Sequence, residues 1–218
     1  MDKTKFFTPT KIKNFLNCKY IVYNEFYKKD LGISKKQKTK NDELRLKKGN
    51  EHEDNYFLQL KKKYKKTIDL KKNNLDYSKR FKETLMAMQD GYEVIRGGVL
   101  IQEDWVGETD FLIKTTDLKS KFGNFSYVVH ETKNTKKTKV DHIIQAGIYT
   151  LMLESAQEIQ PASFSIVLKE YIIDKIQFDK ISNYIKSNKE KYEYFISNDI
   201  EKVKPEKCSF CNICDWIE

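Results

Sequence analysis

Two apolar, β-like stretches of the sequence carry three charged residues, Asp110, Glu131 and Lys133. Asp110 lies in WVGETDFLIK, and the other two lie in FSYVVHETK. Alternate side chains of a strand point to the same face, so Glu131 and Lys133 are expected to project together. The turn-rich residues TTDLKSKFGN between the stretches predict a hairpin that brings the two strands side by side. The pattern therefore predicts a cluster of two carboxylates and one ammonium group.

Such a cluster is suited to metal-assisted chemistry. Two crowded carboxylates repel each other unless a cation lies between them, and their hard oxygens favour Mg²⁺ or Mn²⁺ over zinc. The nearby Lys133 could hold an attacking water or stabilise negative charge on a phosphate. Gln145 and Tyr149 follow four residues apart in a helical run and so share one face. Each feature alone is typical of ordinary surface structure, but their combination in this order indicates a catalytic site.

The bulk composition fits one folded domain over residues 1–218. Hydrophobic residues make up 39% of the chain and charged residues 33%, and this length allows a sizeable core. No apolar run approaches the roughly 20 residues that span a bilayer. The first residues, MDKTKFFTPTKIKNFL, lack the apolar segment and cleavage site of a signal peptide. We therefore expect no membrane partner and a cytoplasmic location.

The positive charge is concentrated in one part of the chain. Residues 28–82 contain 19 Lys and Arg against 8 Asp and Glu, an excess of 11 that exceeds the net charge of +9 of the whole chain. A basic block of this kind is suited to a polyanion such as a nucleic acid, with binding that weakens as salt rises. Compositional bias toward Lys and Asn is the alternative explanation.

Periodicity predicts alternating helices and strands, and so an α/β fold. Helices are predicted over residues 8–27, with Thr8 as N-cap and Pro9 in the first turn, over about 42–64, over 75–94 and after Lys139. Residues 31–42 are predicted to form a polar loop. A two-strand pattern begins near Val94, a second hairpin covers residues 163–178, and a closing helix covers 181–197. His52 lies in the second helix and is a candidate metal ligand only in combination with other ligands.

Four cysteines are present, and three of them form a C-x-x-C-x-x-C motif near the end of the chain. This spacing is too tight for comfortable disulfides, and clustered thiolates suit zinc or an iron–sulfur cluster. Cys18 is the one thiol left to complete a set of four, which would join the N- and C-terminal segments. Redundant free thiols are the alternative, and spacing alone does not separate zinc from iron–sulfur. The four residues are Cys18, Cys208, Cys211 and Cys214.

Taken in order, these motifs resemble the RecB-like branch of the PD-(D/E)xK nucleases over nearly the whole chain. The sequence is similar to the CRISPR-associated RecB-like exonucleases, and more so to stand-alone RecB-like nucleases with a Pro-Glu and C-x-x-C-x-W tail. Here that tail is Pro205-Glu206 and Cys211-Asn-Ile-Cys214-Asp-Trp216. The remaining motifs are Cys18, His52 in G-x-x-H-E, Gly107-x-x-Asp110, Glu131-x-Lys133 and Gln145-x-x-x-Tyr149.

The resemblance implies a restriction-endonuclease-like core, with a central mixed sheet flanked by helices, and a role for each motif. His52, Asp110 and Glu131 would bind Mg²⁺ or Mn²⁺, with the carbonyl of Thr132 as a further ligand. Lys133 would position the hydrolytic water. Gln145 and Tyr149 would orient DNA and the lysine. A [4Fe-4S] cluster would be held by the four cysteines, Cys18, Cys208, Cys211 and Cys214.

One departure from the family concerns the fourth cysteine. In the family it commonly follows the tryptophan by several residues, whereas only two residues follow Trp216 here. Cys208 is the substitute ligand, or the sequence is a fragment of a longer chain. Some relatives of the family are fused to a helicase, which fits the second alternative.

The sequence as a whole predicts a metal-dependent deoxyribonuclease. The expected reaction is phosphodiester hydrolysis by a single-strand DNA exonuclease in DNA repair, recombination or CRISPR-type DNA processing, with a helicase or CRISPR-type protein as partner. A non-catalytic nucleic-acid-binding module with a structural metal is one alternative. A protein-interaction or helicase-accessory domain with a degenerate site is another.

Overall fold

A computed structural model describes residues 7–71 and 76–216. The helices found there are α1 (Ile12–Asn17), α2 (Lys19–Leu31), α3 (Lys40–Lys63), α4 (Tyr77–Gln89), α5 (Val140–Gln157) and α6 (Ser182–Tyr194). The strands are β1 (Thr67–Asp69), β2 (Val94–Arg96), β3 (Val99–Gln102), β4 (Trp105–Glu108), β5 (Phe111–Thr115), β6 (Ser126–Thr132), β7 (Ser163–Val167) and β8 (Ile173–Gln177). Among these residues, no helix is both long and apolar enough to cross a lipid bilayer.

Six of the strands form one mixed sheet in the order β1-β2-β5-β6-β7-β8, while β3 and β4 form a separate hairpin. The pairs β1–β2 and β6–β7 are parallel, and the other neighbours are antiparallel. Parallel neighbours need a crossover connection, which α5 provides between β6 and β7. The protein is therefore an α/β protein with a mixed six-stranded sheet flanked by helices, as the sequence predicted.

Alternation along the strands divides the core into two layers. On one face, Phe111 and Ile113 of β5 pack with Tyr56, Phe57 and other residues of α3. On the opposite face, Leu112 of the same strand joins the larger core that contains α5. Since successive strand residues point to opposite faces, the apolar run in β5 serves both layers. The helix α3 therefore covers one face of the sheet, and α5 covers the other.

The predicted hairpin between Asp110 and Glu131 is confirmed. Strands β5 and β6 are antiparallel, with Phe111 opposite His130 and Thr115 opposite Ser126. The predicted hairpin over residues 163–178 is also confirmed, as β7 and β8. This arrangement brings the end of β6 next to the beginning of β5.

Two predicted helices have other bounds in the structure. The helix predicted over residues 8–27 begins at Ile12, with Lys11 rather than Thr8 as N-cap, and extends to Leu31. It is divided into α1 and α2, because Cys18 between them is extended, with φ −163° and ψ 113°. The helix predicted over 75–94 ends at Gln89, and Gly91, with φ +68°, turns the chain before β2. Its predicted start, Leu75, lies outside the described residues.

The helix predicted over about 42–64 is confirmed as α3, and its first turn explains where it begins. Thr39 is the N-cap: its side chain accepts a hydrogen bond from the backbone of Asp42, whose carboxylate accepts one from the backbone of Thr39. This reciprocal pairing is a capping box. The preceding polar loop is tied to the C-terminal segment, since the backbone nitrogen of Lys36 donates to the carbonyl of Asp215 at 2.8 Å.

Candidate active site

Asp110 lies in a bend directly before β5 and is held by the neighbouring strand β6. Its Oδ2 atom accepts hydrogen bonds from the backbone nitrogen and from Oγ1 of Thr132, both at 2.7 Å. The predicted position within a strand was wrong by one residue, because β5 begins at Phe111. The two bonds fix the carboxylate beside the end of β6, next to Glu131.

Glu131 is a buried carboxylate at the end of β6. Its side chain is only 3% exposed, and its Oε1 atom accepts a hydrogen bond from Nζ of Lys133 at 2.8 Å. Burial, with the charge of Asp110 as a second cause, raises the pKa of Glu131 to about 7, although Lys133 acts in the opposite direction. The predicted pairing of Glu131 with Lys133 on one face of the strand is therefore present, and Asp110 lies close enough to influence its charge.

Lys133 follows β6 directly and continues the sheet through its backbone. Its nitrogen donates to the carbonyl of Val167 in β7 at 2.8 Å. Burial by itself would lower the pKa of the Lys133 amine, but the charges of Glu131 and Asp110 and the hydrogen bond with Glu131 raise it above its ordinary value. The amine is therefore protonated at neutral pH and can stabilise a neighbouring anion.

Gln145 and Tyr149 lie on α5 and are both buried. Burial and the charges of Glu131 and Asp110 raise the pKa of Tyr149 well above its ordinary value, while hydrogen bonds with Thr10 and Gln145 act in the opposite direction. Tyr149 is thus within electrostatic reach of both carboxylates of the predicted cluster, and Gln145 lies one turn away on the same helix. Thr10 was not predicted to take part.

Two oxygen atoms of this site are buried without a hydrogen-bond partner among the described residues: Oε2 of Glu131 and Oε1 of Gln145. Buried polar atoms in proteins almost always have a partner, so each exception calls for an explanation. Both are acceptors, and a divalent cation such as Mg²⁺ binds oxygen ligands of this kind. The carboxylates of Asp110 and Glu131 therefore fit a hard cation by their chemistry.

The described contacts of His52 are with residues other than the two carboxylates. Its Nε2 atom is 3.2 Å from the carbonyl oxygen of Val167, and its ring stacks on that of Tyr171, with centroids 5.1 Å apart. Over residues 7–71 and 76–216, no group of three or more His, Cys, Asp or Glu side chains is gathered closely enough to hold a metal ion. The structure brings Asp110 and Glu131 together but does not assemble them with His52, whose role as a ligand stays a prediction, as does that of the Thr132 carbonyl.

The residue after His52 belongs to an ion-pair network that sequence patterns did not reveal. Glu53 is buried and accepts hydrogen bonds from Arg96 at 2.9 Å and from Lys71 at 2.9 and 2.8 Å. Arg96 also pairs with Asp54 and Asp69. The network connects α3 to β1 and β2, and the charge of Glu53 adds to the rise in the pKa of Glu131. The ion pairs therefore fix the helix that carries His52 near the candidate site.

The four cysteines are free thiols that lie around two neighbouring cavities. A cavity of about 110 Å³ is lined by Cys18, Cys211 and Cys214, together with Trp216. A larger cavity of about 450 Å³ is lined by Cys18 and Cys208, and the Sγ atoms of Cys208 and Cys211 are 3.9 Å apart. The N- and C-terminal segments therefore meet at the cysteines, although the thiols are not gathered into one tight set.

Two cations of the basic block have acidic partners within the protein. Arg80 is buried and pairs with Glu108 at 2.6 Å, and Lys71 pairs with Glu53 at 2.8 Å. The lysines of α3 and of its preceding loop are exposed.

Comparison with known proteins finds no match, either to a family model or to a curated protein.

Proposed function

We propose that the chain is a divalent-metal-dependent nuclease of the RecB-like PD-(D/E)xK type, with a restriction-endonuclease-like core. One observation carries the proposal: the buried carboxylate of Glu131 lies beside Asp110 and Lys133, and its Oε2 atom has no partner among the described residues. A buried carboxylate oxygen without a partner is costly, so a site of this kind is expected to gain a cation. The crossover of α5 between parallel strands supports the proposed core.

Asp110 and Glu131 would hold Mg²⁺ or Mn²⁺, with His52 and the carbonyl of Thr132 as the further ligands that the family pattern implies. A divalent cation there supplies positive charge that stabilises the charge developing on a phosphate during hydrolysis. Thr132 also orients Asp110 through its two hydrogen bonds. A carboxylate fixed in this way loses little conformational freedom when a cation binds.

Lys133 supplies the second positive charge of the proposed site. Its amine is held by Glu131 at 2.8 Å and remains protonated, so it can bind a non-bridging phosphate oxygen or the attacking water. Gln145 and Tyr149 would orient the lysine and the DNA strand from α5. Burial of these side chains keeps bulk water away from the charges and strengthens their interactions.

The proposed substrate is DNA, as a single strand entering an exonuclease site. The exposed lysines of α3 and of the loop before it support binding of a phosphate backbone. We propose activity in DNA repair, recombination or CRISPR-type DNA processing in the cytoplasm, together with a helicase or a CRISPR-type protein. The affinity for single-stranded DNA is expected to fall steeply as salt is added.

The cysteines are proposed to hold a [4Fe-4S] cluster, with zinc as the alternative. The shared cavities support a common site for Cys18, Cys208, Cys211 and Cys214. Thiolate ligands suit both kinds of centre. Anaerobically purified protein with visible brown absorbance and stoichiometric iron would identify the cluster, whereas colourless protein containing zinc would identify the alternative.

The deciding experiment is cleavage of end-labelled single-stranded DNA. We expect cleavage with Mg²⁺ or Mn²⁺ and none with EDTA. Lys133→Ala should retain DNA binding in a gel-shift assay while turnover falls by about 100-fold or more, the scale of losing one group that stabilises a transition state. The exposed Lys136 on the same loop offers a matched control, and Lys136→Ala should cleave normally. Wild-type turnover in Lys133→Ala would refute the assignment.

One observation favours a second candidate, a non-catalytic nucleic-acid-binding module. His52 contacts the carbonyl of Val167, and no three-ligand group is gathered in the described part of the chain. Such a module would bind labelled strands equally well with and without EDTA and would leave them intact. The same gel assay therefore separates the two candidates.

A further inference from the structure

The segment that leads into α1 is built into the wall of the candidate site. The carbonyl of Phe7 accepts a hydrogen bond from the backbone nitrogen of Val106 in β4 at 3.1 Å. The ring of Phe7 is buried against Trp105, with centroids 5.7 Å apart, and against Tyr192 in an edge-on contact at 6.1 Å. The segment is therefore anchored on both sides just before Thr10.

This anchoring places Thr10 over α5. Its Oγ1 atom accepts a long hydrogen bond, 3.4 Å, from Nε2 of Gln145. This hydrogen bond joins the segment before α1 to α5, although the two residues are more than a hundred positions apart in the chain.

The hydrogen bond with Thr10 fixes the orientation of the Gln145 amide. An amide is planar and presents donors at one end and an acceptor at the other. Since Nε2 is engaged by Thr10, the opposite atom, Oε1, is buried without a partner among the described residues. The Oε2 atom of Glu131 is also buried without a hydrogen-bond partner among the described residues. If the Gln145 amide were flipped by 180°, its NH₂ group would take the place of Oε1. The hydrogens of that group would repel a cation, whereas the oxygen can bind one.

We propose that Thr10 is a positioning residue of the carboxylate site, whose hydroxyl holds Gln145 with Oε1 available to a bound divalent cation or to a water molecule beside it. The inference rests on the proposed function and names a residue that acts through Gln145. Partners of metal-site groups that are not ligands themselves commonly contribute 10- to 100-fold to metal affinity or activity. The exposed position of Thr10 means that its substitution leaves the buried core intact.

The test compares two substitutions at one position. Thr10→Val keeps the shape of the side chain but removes the hydroxyl, whereas Thr10→Ser keeps the hydroxyl. Thr116 is exposed in the β5–β6 connection, so Thr116→Val serves as the matched control. Binding of Mn²⁺ to metal-stripped protein is measured by calorimetry, and cleavage of single-stranded DNA is measured as kcat and KM separately.

For Thr10→Val we expect about tenfold weaker Mn²⁺ binding and about tenfold lower kcat, with little change in KM. Thr10→Ser should restore both, and Thr116→Val should match wild type. If Thr10→Val matches wild type in both measurements, or if Thr10→Ser is as impaired as Thr10→Val, the inference is overturned while the proposed function stands. A wild-type protein that neither binds Mn²⁺ nor cleaves DNA overturns both.

Discussion

The ring of Tyr149 fills the space beside Gly107 so closely that a Cβ atom on this glycine would lie 2.7 Å from Cε1 of the ring. The same atom would lie 2.9 Å from Cδ of Pro9. Real side chains do not tolerate such distances, so strand β4 can approach α5 this closely only without a side chain at Gly107. The close approach keeps Tyr149 against the N-terminal segment and near the two carboxylates.

Gly107→Ala is therefore expected to displace Tyr149 and to lower both stability and turnover. Overpacking of a core typically costs about 1–3 kcal/mol of unfolding free energy. Urea denaturation measures the stability, and cleavage of single-stranded DNA measures the proposed activity. Gly49 in α3 is the matched control, because nothing lies within 4 Å of its added Cβ. Gly49→Ala should stabilise the protein slightly, since alanine favours helix. Unchanged stability in Gly107→Ala would contradict the close packing.

Arg96 is expected to be a major contributor to stability. Its guanidinium pairs with Glu53, Asp54 and Asp69, and its side chain is largely buried. Arg96→Met would leave the buried Glu53 with Lys71 as its remaining described partner, and breaking a buried pair typically costs about 3–5 kcal/mol. Urea denaturation should show this loss.

The control for Arg96 is an exposed ion pair on the same helix as Glu53. Arg45 lies 3.8 Å from Asp42 and has a highly exposed side chain. Arg45→Met should change stability by at most about 1 kcal/mol. If both substitutions had the same small effect, the network would not be what holds α3 against the sheet.

The raised pKa of Glu131 predicts how the stability of metal-free protein depends on pH. Its pKa is about 7 in the folded protein against an ordinary value of 4.5. Between these values the folded protein retains a proton that the unfolded chain has lost, so stability falls as pH rises from about 4.5 to 7. Glu131→Gln cannot ionise and should lack this contribution.

The measurement for Glu131 is the difference in unfolding free energy between wild type and Glu131→Gln, in EDTA, at several pH values. Wild type should lose stability relative to the variant as pH rises through this window. Saturating Mn²⁺ should reverse the trend, because cation binding favours the ionised carboxylate. A constant difference from pH 4.5 to 7 would show that the carboxylate is not desolvated as the structure indicates.

Local patterns were sufficient to predict the strands that carry the central residues. The alternation in FSYVVHETK and the polar turn before it predicted β6 and its antiparallel pairing with β5. The same patterns placed Glu131 and Lys133 on one face, where they are hydrogen-bonded. Gln145 and Tyr149 were predicted together because helical periodicity is a local property, and α5 follows it.

Contacts between distant segments could not be predicted in this way. Thr10 reaches Gln145 only because the N-terminal segment pairs with β4, and no local pattern encodes that pairing. Strand β1 has three residues, too few to show a period. Cys18 interrupts a helical pattern through an extended backbone that apolar spacing does not reveal. These features depend on tertiary packing, which overrides local propensity.

The order of the six-stranded sheet leaves β1 and β8 as its outer strands. An outer strand presents unpaired backbone groups that can recruit another chain, and natural sheets limit this with short or charged edges. Strand β1 is only three residues long, and β8 carries Asp174 and Lys175 at its centre. Replacing both charges of β8 with valine would create a long apolar edge beside Ile173 and Ile176. The protein would then be exposed to intermolecular strand pairing and fibrous aggregation, even with its candidate site untouched.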